Sequence, residues 1–157
     1  MSKMSPKDKL EYGMATLGSV LRLAVRSMKE NYGEEGLSKL RNTFHEAGMR
    51  LGEDEVERLK IQDKGGKAYH RIINEALEAF EVKHEIVELS DTDYVLRIYD
   101  CPHAKNFQSP EVCDVFLELD KGIVKSLDAQ LQFKLTKHIL RGAPYCEYVV
   151  RPERSIR

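Results

Sequence analysis

The chain has 157 residues, with 25 basic and 26 acidic side chains, three Cys and no Trp. At 41% hydrophobic and 32% charged it has an ordinary globular composition, which excludes a disordered chain, and its formal net charge of −1 leaves no electrostatic footprint for nucleic acid. No apolar run approaches the roughly 18 residues of a membrane span, and the polar start has no apolar signal-peptide core. A cytoplasmic location, with no nucleic-acid partner and no membrane span, is therefore expected. The length predicts a single domain over 1–157, at roughly 150 residues per domain. Its 1–81 half is mainly helical and 82–150 forms the sheet. An odd number of cysteines in a reducing compartment argues against a disulfide framework.

Ser5-Pro6 predicts a helix start, because proline at the first helical position loses no needed donor. Leu10, Met14, Leu17, Leu21, Ala24 and Met28 then recur at spacings of four and three, a heptad-like stripe that fits a packed helix or one that pairs with a second subunit. Asn31-Tyr-Gly33 ends this helix. A second helix is expected from Glu34 to Arg50, weakened near its end by Gly48 and Gly52 at about 1 kcal/mol each relative to alanine. Asp54–Ile61 reads as a short helical turn, Gly65-Gly66 as a break, and Ala68–Phe80 as a third strong helix. Past Phe80 the period changes. Val82–Leu89 and Tyr94–Tyr99 read as a hairpin across the Ser90–Asp93 turn. A helix opening at Ser109-Pro110 runs to about Leu127. Leu131, Phe133 and Leu135 alternate with polar residues in a half-buried strand. Arg141–Pro144 is a turn, Tyr145–Val150 a closing strand, and Arg151–Arg157 a frayed tail. The fold class is α+β, with N-terminal helices packed on a small antiparallel sheet and a helix inserted between two hairpins.

The chemistry concentrates in the last third. Cys101, Cys113, His138 and Cys146 are thiolate and imidazole donors of the kind zinc prefers, four for a closed structural site or three plus water for a catalytic one. His103, beside Cys101-Pro102, reads either as an exposed loop histidine or as a spare ligand. An odd-length hairpin loop centred on Gly142, or a bulge with the same effect, sets His138 directly opposite Cys146, roughly 4.5–5.5 Å apart at Cβ. Cys113 lies in the first turn of its helix, where the helix field is expected to lower a thiol pKa. Asp120 is the carboxylate in an apolar helical row with Cys113, Phe116, Leu117, Val124 and Leu127. It is a candidate to orient a ligand histidine or to act as a general base with a raised pKa. Zinc is accordingly the expected cofactor.

Ile98–Ala104, Cys113, Gly122 and His138–Val149 together resemble the 4-vinyl-reductase domain family. Cys113, Gly122, Gly142, Cys146 and Tyr148 match its pattern, and His138 stands where that family usually has Cys. Cys101-Pro102, Asp120, Gly142 and Cys146-Glu-Tyr are also similar to the family of L-2-amino-thiazoline-4-carboxylic acid hydrolase. Its middle Cys, three residues before the Asp, is replaced here by Leu117. The resemblance covers residues 94–150. It implies an α+β fold that forms homodimers through its N-terminal helices and holds a small or apolar ligand. Three functions are thereby set out: a zinc-containing small-molecule-binding domain, a zinc-dependent hydrolase of a C=N or amide bond with Asp120 as base, and a metal-free dimeric assembly module.

Overall fold

The computed structural model describes residues 4–153. Helix α1 spans Pro6–Leu59. Ser5 opens it with a reciprocal capping box: its hydroxyl accepts the Asp8 N–H and the Asp8 carboxylate accepts the Ser5 N–H, both at 3.1 Å. At Gly33 the backbone turns to φ 59°, ψ −147°, a conformation essentially confined to glycine. The two helices expected on either side of Asn31–Gly33 are thus two arms of α1, 6–32 and 34–59. Leu21 and Val25 of the first arm meet Leu37 of the second in one core cluster, together with Phe107, Val112, Cys113 and Val115.

The second arm continues through Gly48 and Gly52 to Leu59, well past the end expected at Arg50. These glycines mark a helix crossing. A Cβ on Gly48 would lie 2.0 Å from the Leu119 carbonyl oxygen, one on Gly52 2.0 Å from Ser126 Oγ, and one on Gly122 2.1 Å from the His45 carbonyl oxygen. Helix α5 (Glu118–Leu127) therefore lies backbone against backbone on α1. The propensity lost at each glycine is set against a contact that no side chain would permit.

Helix α2 (Gly65–Ala79) begins at the expected break. Gly65 and Gly66 lie directly against the Ser90–Asp93 turn, whose Ser90 carbonyl accepts the Lys67 N–H at 3.1 Å. Strands β1 (His84–Leu89), β2 (Tyr94–Ile98), β3 (Leu131–Lys137) and β4 (Cys146–Pro152) form one antiparallel sheet in the order β1-β2-β4-β3. Arg151 and Pro152 thus belong to a strand, and the rest of the tail expected to fray, beyond Glu153, lies outside the described residues. Tyr94, Leu96, Ile98, Leu131, Phe133, Cys146, Tyr148 and Val150 turn one face of the sheet toward the helices. The opposite face carries ion pairs, among them Arg97–Glu147 at 2.8 Å.

The insertion between β2 and β3 is three helices instead of one: α3 (Pro102–Phe107), α4 (Pro110–Phe116) and α5. The break between α4 and α5 falls at Leu117. It has a packing reason, since Val115 is buried with α1 and α3 whereas Leu117 is buried with the sheet. A straight helix would not serve both cores. Among the described residues no helix is long and apolar enough to cross a membrane.

The helix crossing yields a paired test. Gly48→Ala is expected to lower the free energy of unfolding by about 3 kcal/mol through overpacking. Gly13→Ala meets nothing within 4 Å, and should instead raise it by up to about 1 kcal/mol through helix propensity. Urea unfolding followed by circular dichroism reads both; equal effects would contradict the contact.

Candidate functional site

Cys101, His103, Cys113, His138 and Cys146 line one small cavity with Phe107, Phe116, Leu117 and Tyr148, around a free volume of about 10 Å³. Each arrives by a different element. Cys101 is the N-cap of α3, with Pro102 in the first helical position. Cys113 sits on the inner side of α4, whose Ser109 cap accepts the Val112 N–H at 3.4 Å. Cys146 opens β4 opposite Ile98 of β2. His138 follows β3 and begins the short 3₁₀ turn Ile139–Arg141.

The hairpin between β3 and β4 is not closed by a short odd loop, because 138–145 separates the strands. The expected bulge is present in the ladder just before His138. Leu135 pairs with Tyr148, but Lys137 pairs with Glu147, so one extra residue is accommodated between them. Thr136 and Lys137 are both exposed, and the next residue, His138, is buried. The ladder ends at the Lys137–Glu147 pair, and beyond it His138 and Cys146 line the same cavity, with the Ile139 N–H donating to Cys146 Sγ at 3.5 Å. The bidentate pair of Arg141 with Asp114, at 2.6 and 3.3 Å, fastens this turn to α4 beside Cys113.

The three thiols sit in different electrostatic surroundings. Cys101 is pulled down to about 7 by the facing Cys146 thiol and by the Ala104 and His103 backbone N–H groups and the Tyr148 hydroxyl, against the opposing effect of burial. The Tyr148 hydroxyl lies 4.0 Å from its sulfur. Cys146 moves the other way, because contact with Cys101 and burial both favour its protonated form. Cys113 is pushed up to about 12 by burial. The lowering expected at a helix start is therefore overturned there, since desolvation outweighs the field of a short helix. His103 stacks on Phe107, with ring centroids 5.2 Å apart, and meets Phe116 edge-on at 4.7 Å. Burial pushes its pKa down to about 4. His138 is lowered by burial and by Arg141, against Asp114. Both imidazoles are held neutral.

The donor types suit a zinc ion. Among the described residues, however, no group of three or more His, Cys, Asp or Glu is gathered so as to hold a metal. His138 Nδ1 is the one fully buried side-chain nitrogen or oxygen among them without a hydrogen-bond partner.

Asp120 is buried on α5 and does not line the cavity. It accepts a 2.7 Å hydrogen bond from the Tyr69 hydroxyl of α2. Periodicity places Tyr69 on a buried helix face but gives no sign of this hydroxyl's partner. Tyr148 is legible only as an aromatic after Cys146, and its hydroxyl becomes part of the site because β4 alternates inward at 146 and 148.

Burial raises the Asp120 carboxyl from 3.8 to about 6. The fold thus holds this proton more tightly than the unfolded chain does. The stability it confers is complete below about pH 4 and is lost as pH rises through about 6. Asp120→Asn keeps the acceptor for Tyr69 without the charge. Its stability relative to the native chain should grow by on the order of 3 kcal/mol between pH 4 and 7, at about 1.4 kcal/mol per pKa unit. Urea titrations at both pH values check this, and a constant difference would contradict it.

The fold has known counterparts. The trafficking protein particle complex subunit 3 from Naegleria fowleri, solved covalently bound to palmitic acid, superposes with a TM-score of 0.68 at 16% identity, covering 93% of this chain and 98% of that one. The phenol-responsive sensory domain of the transcription activator PoxR, solved with phenol, gives 0.60 at 14% identity, covering 88% of this chain and 74% of the other. At these identities the likeness is one of fold. Comparison with curated proteins gives no match. The family model for L-2-amino-thiazoline-4-carboxylic acid hydrolase matches residues 11–150. That span takes in both arms of α1 as well as Cys101, Asp120 and Cys146, and on it the chain belongs to the L-2-amino-thiazoline-4-carboxylic acid hydrolase family.

Proposed function

We propose that the chain hydrolyses a carbon–nitrogen bond of a small amidine-like substrate, of the 2-amino-thiazoline-4-carboxylate class, with Cys101 as nucleophile. The observation that carries this reading is the position of Cys101, buried in a shared cavity between the Cys146 thiol and the Tyr148 hydroxyl. The thiolate is the reactive form of cysteine, and Cys101 is the thiol whose surroundings favour it near neutral pH. Its sulfur adds to the electron-poor carbon of the C=N bond, and the nitrogen takes the displaced electron pair and a proton. Tyr148 retains its proton at neutral pH, because burial holds it well above its ordinary range, and is the nearest donor. Collapse of the adduct breaks the C–N bond: the leaving nitrogen takes a proton from the nitrogen that stays and departs as the amine, leaving a thioimidate on Cys101. Water then attacks the same carbon and releases the sulfur as thiolate, with the neutral His138 taking the water's proton at Nδ1 and passing it to Tyr148. The free volume of about 10 Å³ holds no more than a water, so a ring-sized substrate enters by displacing the His103 and Phe116 wall. Neighbours of the same fold solved with palmitic acid and with phenol support a fold that accommodates small apolar molecules.

Turnover of 2-amino-thiazoline-4-carboxylate and simple amidines by the purified chain is the test. Cys101→Ala should lose at least about a thousandfold in rate, as loss of a nucleophile does, whereas Cys113→Ala should not. An inert native chain, or full activity in Cys101→Ala, would overturn the reading.

A second reading keeps the same residues as a zinc site in a small-molecule-binding domain of 4-vinyl-reductase type. Its support is the unpartnered His138 Nδ1 on a residue that lines one cavity with three cysteines, and it requires Cys101, Cys113, His138 and Cys146 to draw inward. Protein purified without chelator should then carry one zinc per chain and lose it in His138→Ala. A metal-free native chain sinks this alternative without touching the first.

The expected homodimer is supported by the first arm of α1. Within its repeat Met14 and Leu21 are buried but Leu17 is 43% exposed, and Val20 and Leu23 beside the repeat are 60 and 64% exposed. A second copy is the occupant that suits a long apolar row on one helix. Light scattering should give twice the chain mass, falling to one chain in Val20→Glu; a monomeric native chain would remove the dimer.

A further inference from the structure

We propose that Cys101 and Cys146 are a redox modification site, forming a reversible disulfide with a hydroperoxide as oxidant. The sheet brings them together. Ile98, the last residue of β2, is the ladder partner of Cys146, and Cys101 follows three residues later. Cys101 and Cys146 line the same small cavity together with Tyr148, whose hydroxyl approaches the Cys101 sulfur. Both sulfurs border the same cavity, and both cysteines are free and buried. The Ile139 N–H points at Cys146 Sγ from 3.5 Å, and the Tyr148 hydroxyl lies 4.0 Å from Cys101 Sγ. The pair thus sits among donors able to assist a leaving oxygen. The cavity, with room for about one water, also suits the approach of hydrogen peroxide better than that of a bulky oxidant.

The chemistry proceeds in two balanced steps. Cys101 sulfur attacks one oxygen of hydrogen peroxide, the O–O bond breaks, and the other oxygen leaves as water with the thiol's proton. Cys101 becomes a sulfenic acid. Cys146 sulfur then attacks that sulfur, the S–S bond forms, and the S–O bond breaks. The departing hydroxide leaves as a second water with the proton of Cys146. Two thiols have given two electrons to the peroxide. The bridge ties the head of α3 to the start of β4 and removes the Cys101 sulfur from the cavity. A dithiol reductant restores both thiols.

Oxidation is read on the full native chain without any substrate, so it can fail while hydrolysis stands, and the reverse. The protein is treated with hydrogen peroxide, and its intact mass and non-reduced peptide map are measured. The expected result is loss of two hydrogen atoms, a Cys101–Cys146 linkage in near-stoichiometric yield, and Cys113 left as thiol. In Cys146→Ser, Cys101 has no resolving thiol and should be trapped as a sulfenic acid by dimedone, while the native chain stays unlabelled. In Cys113→Ser the bridge should form as before. Cys101 and Cys146 remaining thiols under excess peroxide would overturn the proposal. So would a bridge that includes Cys113, or oxidation of Cys101 to sulfinic acid without a bridge in the native chain.

Discussion

The close crossing of α1 and α5 at Gly48, Gly52 and Gly122 is the contact on which the arrangement of this protein depends. Where a Cβ would stand 2.0 Å from a carbonyl oxygen, the two backbones are as near as two helices can come. That separation sets the height of α5 above the sheet and hence the depth at which Asp120 meets Tyr69. It also sets where α4 emerges from α5. Phe44 on the second arm of α1 packs edge-on against Phe116 at 6.1 Å, and Phe116 in turn holds His103. The helix layer thus delivers Cys113 and His103 to the point where β2, β3 and β4 deliver Cys101, His138 and Cys146.

Within the cavity, two opposing effects divide three chemically identical side chains. Burial favours the neutral thiol everywhere in it, and at Cys113 burial prevails. Cys101 lies equally deep but faces a thiol, a hydroxyl and two backbone N–H groups, and these donors outweigh the loss of water. Cys146 becomes the donor of the pair. The site therefore assembles one sulfur whose surroundings favour the thiolate, two proton-bearing sulfurs and two neutral imidazoles. Asp120 and Tyr69 form a separate buried pair deeper in the core, linked to the site through packing.

Much of this was legible in the chain. Ser5-Pro6, the period change after Phe80, and the Ser90–Asp93 turn each mark an element boundary through local chemistry, and the α+β order followed from them. The gathering of Cys101, Cys113, His138 and Cys146 was also legible, since each lies on a strand end, a helix start or a hairpin arm. What was hidden depends on tertiary packing. Gly48 and Gly52 read as helix weakeners because propensity knows nothing of a partner helix. The break at Leu117 arises because Val115 and Leu117 serve different cores, which periodicity alone merges into one face. The extra residue at Thr136 turns His138 inward, and no turn signal distinguishes that bulge from a short loop. The Cys113 thiol departs from its expectation because desolvation, which depends on the tertiary packing around it, raises its pKa.

The ionisation of Cys101 tests the central claim most directly. Thiolate absorbance in the ultraviolet, followed with pH for the native chain and for Cys101→Ser, isolates this one group. The account predicts one thiol titrating near pH 7 in the native chain, absent from the variant, with the other two remaining protonated well above that pH. A native chain whose three thiols all titrate at or above the ordinary cysteine range of about 8.5, with no change on substituting Cys101, would contradict it.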